Sequence, residues 1–288
     1  MTGADFAFIA QFLKERSGLI ITQDKTYLLE TRLAAILREH KIAGLPALAE
    51  HLRQPGATAI KAKVVDAMTT NETSFFRDNH PFDTLRQSVI PSLIERRATT
   101  RSLRIWSAAC STGQEPYSLA MMMKDNFPIL AGWRVEIVAT DLSPSVLDRA
   151  RDGLYSTFEV QRGLPIQMLV RHFDQIESNW RIKRELRQTI NFRPLNLLED
   201  FSSLGQFDIV LCRNVLIYFD QPTKTRILTN ITRRIAPDGA LLLGGAESVF
   251  ALCDALAALP SLKGVYGHAR PSKPSAPGLQ ALPLSAAS

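Results

Sequence analysis

From residue 103 onward, short apolar runs alternate with stretches of helical spacing, and few folds accept that order. "LRIWSAA" (103–109) precedes "EPYSLAMMMKDNF", and "RVEIVATD" (134–141) precedes "SPSVLDRARDG". "FDIVLCRNV" (207–215) precedes "QPTKTRILTNITRRI", and "GALLLGGAE" (239–247) precedes a final helical stretch and "KGVYGHA". Near-continuous apolar runs read as strands buried on both faces, and their alternation with helices predicts parallel βαβ units in a doubly wound sheet. The expected fold class is therefore α/β. Residues 153–193 break the rhythm. There a weak helix leads into "NWRIKRELRQTINFRP", where apolar and charged residues alternate, so a small antiparallel insertion at about 165–193 with a wet face is expected.

The first 70 residues have a different texture. Phe6, Ile9, Phe12 and Leu13 share one helical face, and Tyr27, Leu28, Leu33, Ile36 and Leu37 repeat the pattern after the turn at Ser17-Gly18. Leu45, Leu48, Leu52, Val64, Val65 and Met68 continue it, which predicts a small all-α domain. With 288 residues, 45% of them apolar, the chain can fill two cores. The expected division is a helical domain over 1–75, an α/β domain over 76–269 and a disordered tail over 270–288, where four prolines fall among Ser and Ala.

No run approaches the roughly 20 apolar residues that a membrane crossing needs, and the N-terminus lacks the secretory pattern, so a cytoplasmic protein without direct membrane insertion is expected. Three widely spaced cysteines with no CxxC pair suggest neither a disulfide framework nor a metal site. The formal charge is +6, yet the first 160 residues are nearly balanced. Aromatic and basic residues are not interleaved in the manner used to stack bases, so a nucleic-acid partner is not expected.

In a doubly wound sheet, ligands bind beyond the carboxyl ends of the strands, where the strand order reverses. The loop after the first strand, "CSTGQEPYS", has a glycine for close backbone approach but is not GxGxxG. Asp141 ends the second strand, where an acid can bind ribose hydroxyls; it is equally placed to cap the helix that begins at Ser143-Pro144. Both readings stay open at this point.

Four stretches read together are more specific. "NETSFFRD" (71–78), "SAACSTGQEPYSLAM", "ATDLSPSVLDRARDGLYS" and "CRNVLIYF" occur in this order, and from about residue 5 to about 268 the chain resembles the CheR family of chemotaxis-receptor glutamate O-methyltransferases. The resemblance implies an all-α domain before a class I (Rossmann-like) methyltransferase domain, with S-adenosylmethionine as methyl donor. It further implies that the acceptors are glutamate carboxylates on the cytoplasmic helical domains of membrane chemoreceptors, and that the antiparallel insertion corresponds to a subdomain that grips a receptor C-terminal tethering peptide in some members. By the same resemblance Asn71, Thr73, Arg77, Glu115, Asp141, Asn196, Leu197, Cys212 and Arg213 contact the cofactor, while Arg77 and Tyr218 face the transferred methyl. One departure stands out: where the family often has Gly-His-Ser-Glu, this chain has "GGAES" (244–248).

The residue types suit that chemistry. A glutamate has an ordinary pKa of about 4.3, so the acceptor is already an anion at neutral pH and needs no general base; no histidine occurs in the four stretches. A guanidinium at position 77 and a phenol at 218 can orient a carboxylate through charge-assisted hydrogen bonds. Phe75 and Phe76 either exclude water from the reaction centre or simply pack, and Arg77 with Asp78 is otherwise a surface pair. Met121, Met122 and Met123 read as helix packing. Cys110 and Cys212 follow neighbouring strands and are candidates for oxidative inhibition beside the cofactor, while Lys25, Arg32, Arg38 and Lys41 form a candidate basic stripe toward acidic receptor helices. A nucleic-acid methyltransferase is the alternative activity, but "RNVLIYF" lacks the paired prolines of an amine-methylating loop; a non-catalytic cofactor-binding regulator is the other, opposed by the pairing of Arg77 with Tyr218.

Overall fold

The computed structural model describes residues 2–269, so the tail read as disordered lies outside the described residues. Four helices open the chain: α1 (Gly3–Ser17), α2 (Thr26–Glu39), α3 (Leu45–Arg53) and α4 (Thr58–Met68). Thr2 and Asp5 form a reciprocal capping box at the start of α1, and Gly18, at φ +76°, closes it in the left-handed region. Ile9, Leu13, Leu29, Leu33, Leu48 and Val64 lose all exposure in a core of their own, which Ile21 and Ile42 from the connections complete.

Ten strands follow among the described residues: β1 (Ser102–Ala108), β2 (Arg134–Asp141), β3 (Leu154–Ser156), β4 (Phe173–Ile176), β5 (Asn179–Ile182), β6 (Ile190–Pro194), β7 (Phe207–Cys212), β8 (Ile235–Leu243), β9 (Leu256–Ala258) and β10 (Val265–His268). Seven make one sheet in the order β6-β2-β1-β7-β8-β10-β9. The first five of that order are parallel, while β10 runs antiparallel to both β8 and β9. Separate apolar layers cover the faces: one gathers Ile105, Leu119, Met121 and Leu211, the other Trp106, Val210, Ile227 and Leu228. Alternate residues of β1 and β7 thus serve opposite cores, which explains why these strands read as unbroken apolar runs. Successive β1 and β2 pair side by side, and β1 also pairs with the distant β7, so the order reverses at β1 and opens a crevice there.

Three sequence expectations shift. The antiparallel insertion is a three-stranded sheet, β3-β5-β4, that begins at Leu154; Ile190–Pro194, expected inside it, is the parallel edge strand β6 of the main sheet, with Ile137 opposite Ile190. Polar residues on β6 misled the reading because an edge strand keeps one side wet. The stretch after β8 forms turns rather than the expected final helix. Finally, the helical core ends at Met68, and Phe75, expected in the helical domain, is fully buried in the α/β core, where its ring meets Tyr155 and Phe173 edge-on at 5.0 and 5.6 Å.

Candidate active site

A cavity opens at the carboxyl ends of β1, β2, β6 and β7, and the octapeptide 71–78 crosses it. That segment is held from several sides. Phe75 and Phe76 do not line the cavity; they pack into the α/β core, Phe76 against Phe82 at 5.1 Å between ring centres. The water-excluding role considered for these rings gives way to anchorage. Phe76, Asp78 and Asn79 all adopt positive φ, a conformation that costs a non-glycine residue free energy and persists only where surroundings fix it. The fixing contacts are visible: the Phe76 N–H donates to Ser118 Oγ (2.9 Å), and Arg213 Nη2 donates to the Arg77 carbonyl (2.8 Å). Gly163, from the insertion, lies so close that a Cβ there would stand 2.1 Å from the Phe75 carbonyl oxygen.

With the two rings turned inward, Asn71, Thr73 and Arg77 turn to the cavity. The described contacts of the Arg77 guanidinium amount to one hydrogen bond, Nη1 to the Glu72 carbonyl at 2.9 Å. Tyr218 also lines the cavity, on the short turn Leu216–Tyr218 after β7. Arg213 behaves differently. Its side chain is 1% exposed, donates to Glu115 Oε2 (2.9 Å) and Asp78 Oδ2 (2.9 Å), and leaves only Nε without a partner. Although it borders the cavity, its guanidinium is spent tying the octapeptide to the floor. Glu115 also accepts from Ser107 Oγ (2.8 Å), so both its oxygens are engaged by protein groups.

Asp141 is 7% exposed at the cavity wall; its two oxygens accept the N–H groups of Ser111 (2.8 Å) and Ser143 (3.0 Å). The helix Pro144–Asp152 is capped by Ser143, whose hydroxyl accepts from Val146, so the capping reading of Asp141 fails. Burial raises the Asp141 carboxyl above its ordinary range, partly offset by the N–H groups of Ser143 and Ser111. Asn196 and Leu197 border the cavity from the loop after β6; the Asn196 amide donates to the Arg16 carbonyl of α1 (2.8 Å). Cys212 does not border it. As the last residue of β7 its side chain lies in the layer with Trp106 and Val210, whereas Cys110 packs in the opposite layer. Burial raises both thiols well above their ordinary range, which suppresses the thiolate that oxidation requires.

The helical domain supplies part of the roof. Ser17 and Leu19 line the cavity, the Ile20 N–H donates to the Tyr218 carbonyl (3.3 Å), and Lys14 pairs with Asp220 at 2.9 Å. On the same domain Arg32 leaves the expected basic stripe: it donates to the Met68 (2.8 Å) and Thr69 (3.1 Å) carbonyls and closes the end of α4. Lys25, Arg38 and Lys41 remain exposed.

Sequence reasoning passed over Glu247. It noted the missing histidine of "GGAES" and not the acid that remained. Glu247 Oε2 accepts the N–H groups of Asn214 (2.8 Å) and Gly244 (2.7 Å), and Oε1 those of Val215 (2.9 Å), Leu216 (2.7 Å) and Ile217 (3.3 Å). Gly245 and Ala246 are exposed and leave this contact intact.

The lining suits a nucleoside joined to an amino acid. A buried acid stands at the end of β2, the glycine turn is not a phosphate cradle, and neither lysine nor histidine faces the cavity. No group of three His, Cys, Asp or Glu side chains among the described residues is placed to hold a metal, and no helix among them is long and apolar enough to cross a membrane.

Comparison with known proteins agrees. Residues 4–69 match the all-alpha domain of CheR methyltransferases and residues 71–264 match their SAM-binding domain. A chemotaxis protein methyltransferase of Pseudomonas aeruginosa is 44% identical over 256 residues, covering 87% of this chain and 92% of the relative. Relatives so named from Pseudomonas putida (40%) and Vibrio cholerae (38%) cover 87% of this chain and 92% and 91% of their own lengths. The chain belongs to the CheR family and is an S-adenosylmethionine-dependent methyltransferase of chemotaxis.

Proposed function

We propose that the chain methylates glutamate side-chain carboxylates on the cytoplasmic helical domains of chemoreceptors, forming the methyl esters used in chemotactic adaptation, and that it acts in the cytoplasm. The observation that carries this reading is Arg77: a cavity-facing guanidinium with one protein hydrogen bond, in a lining without a histidine or lysine to act as base. Bound S-adenosylmethionine supplies an electrophilic methyl on a positively charged sulfur. Asp141 would accept its ribose hydroxyls, with Asn71, Thr73, Glu115, Asn196 and Leu197 bordering the same space.

Arg77 would receive the acceptor carboxylate through two parallel N–H donors and Tyr218 through its hydroxyl, which fixes the oxygen in line with the methyl. Such positioning is worth roughly 7–11 kcal/mol when geometry is well matched. Because the acid is ionised beforehand, no proton has to be removed, consistent with the absence of a base. Arg213 holds the Arg77 backbone in place and, by pairing with Glu115 and Asp78, keeps their carboxylates from competing with the acceptor for Arg77.

The insertion offers a place for a receptor's C-terminal tethering peptide. β4 is an edge strand, and Phe158, Ile166, Val170 and Ile176 are exposed apolar side chains of the same subdomain.

Transfer of labelled methyl to a receptor cytoplasmic fragment tests the proposal. The label should be released as methanol in base, as esters are. A base-stable product, as a methylated amine would give, overturns the acceptor assignment.

A further inference from the structure

The five N–H groups gathered on Glu247 include four in succession, from Asn214 to Ile217. Successive amides that converge on one anion form a concave nest, and charge-assisted bonds to a carboxylate are the stronger kind. The conformation they enforce is otherwise disfavoured: Asn214 sits at φ +58°. Space for the acid's approach is reserved as well, since a Cβ on Gly244 would stand 2.7 Å from Glu247 Oε2 and 2.9 Å from the Asn214 nitrogen. Tyr218 comes immediately after the four gathered amides, and its own N–H closes the turn on the Val215 carbonyl (3.2 Å). Asn214, Val215 and Tyr218 border the cavity, whereas Glu247 does not.

We propose that Glu247 is a positioning residue for methyl transfer: its carboxylate is the template on which the loop after β7 folds, so that Tyr218 is presented to the reaction centre. It touches neither cofactor nor acceptor and acts through the backbone of 214–217. This inference rests on the role given to Tyr218 in the proposed function.

The isosteric change Glu247→Gln is discriminating because both oxygens accept. Whichever way the amide is turned, its NH2 group faces either the Asn214 and Gly244 amides or those of Val215, Leu216 and Ile217, so donors oppose donors. With a receptor fragment as acceptor, kcat is expected to fall about 10- to 100-fold, as for loss of an interaction made in the transition state, while the Kd for S-adenosylmethionine changes less than about threefold. In the Tyr218→Phe background the same change should lower kcat less than about threefold, because two residues acting as one unit are not additive.

Unchanged kcat for Glu247→Gln, or full additivity of the two substitutions, overturns the inference. If Tyr218→Phe alone leaves kcat unaltered, the role of Tyr218 falls and this inference falls with it, an outcome distinct from the first two. Should Glu247→Gln fail to fold, Glu247→Asp keeps the charge and both acceptors one methylene further back and is carried through the same cycle, with the same outcomes deciding.

Discussion

Replacement of Gly163 by alanine tests whether the insertion sets the position of the octapeptide. Gly163 has φ +91°, and a Cβ there would lie 2.1 Å from the Phe75 carbonyl oxygen and 3.3 Å from its carbon. The oxygen belongs to the backbone and is no flexible tip. To reach even a 3.0 Å contact, one segment must retreat by 0.9 Å, the difference between that contact and the 2.1 Å separation. The left-handed backbone costs an L residue about 1–2 kcal/mol, and forcing an extra methyl into a packed site adds roughly 1–3 kcal/mol. The sum, about 2–5 kcal/mol, lowers Tm by about 4–20 °C for a domain of this size. The retreating carbonyl lies just ahead of Phe76 and Arg77, so the guanidinium should shift with it, and a displacement approaching 1 Å can cost about 100-fold in rate. Unfolding in urea and methyl transfer to a receptor fragment, both on Gly163→Ala, measure the two effects. A variant as stable as the parent with kcat within twofold would refute the close approach and the coupling drawn from it.

Asp141 gives a pH dependence. Burial raises its carboxyl above the ordinary aspartate range, and in the proposed role the ionised form would accept ribose hydroxyls. Affinity for S-adenosylmethionine should therefore weaken as pH falls through the raised value, before an ordinary aspartate of pKa about 3.9 would protonate. Titration calorimetry across the acid range should show this slope in the parent and none in Asp141→Asn; equal slopes exclude Asp141 as its source. Arg77→Lys keeps the charge and loses the planar fork, so kcat/KM for the receptor fragment should fall at least about tenfold, with parent-like kinetics excluding two-point orientation. Phe75→Ala removes a ring with no exposure and should cost about 3–5 kcal/mol in urea unfolding. A loss under about 1 kcal/mol would contradict its place in the core.

The helical domain and the parallel sheet were legible in the chain because each rests on local periodicity: β2 falls on Arg134–Asp141, the residues its apolar run marks, although β8 spans Ile235–Leu243 where the run 239–247 was read. Where a polar edge met the same rule, as at β6, the reading slipped. Asn71, Thr73, Arg77, Glu115, Asp141, Asn196, Leu197, Arg213 and Tyr218, named from the resemblance, all border one crevice. Which way each side chain turns was not written locally. Phe75 and Phe76 face the core because Tyr155, Phe173 and Phe82 offer an apolar seat. Cys212 faces away from the crevice because alternation along β7 assigns it to the other layer.

By itself, then, the sequence determined most of the helices and the parallel strands of the central sheet, since hydrophobic period and turn residues act over a few positions. Only the tertiary structure decided that Arg213 braces the octapeptide, that Arg32 closes α4 and that Glu247 shapes the turn before Tyr218. Those contacts join groups far apart along the chain, and their strength depends on burial and distances that exist only once the sheet has formed.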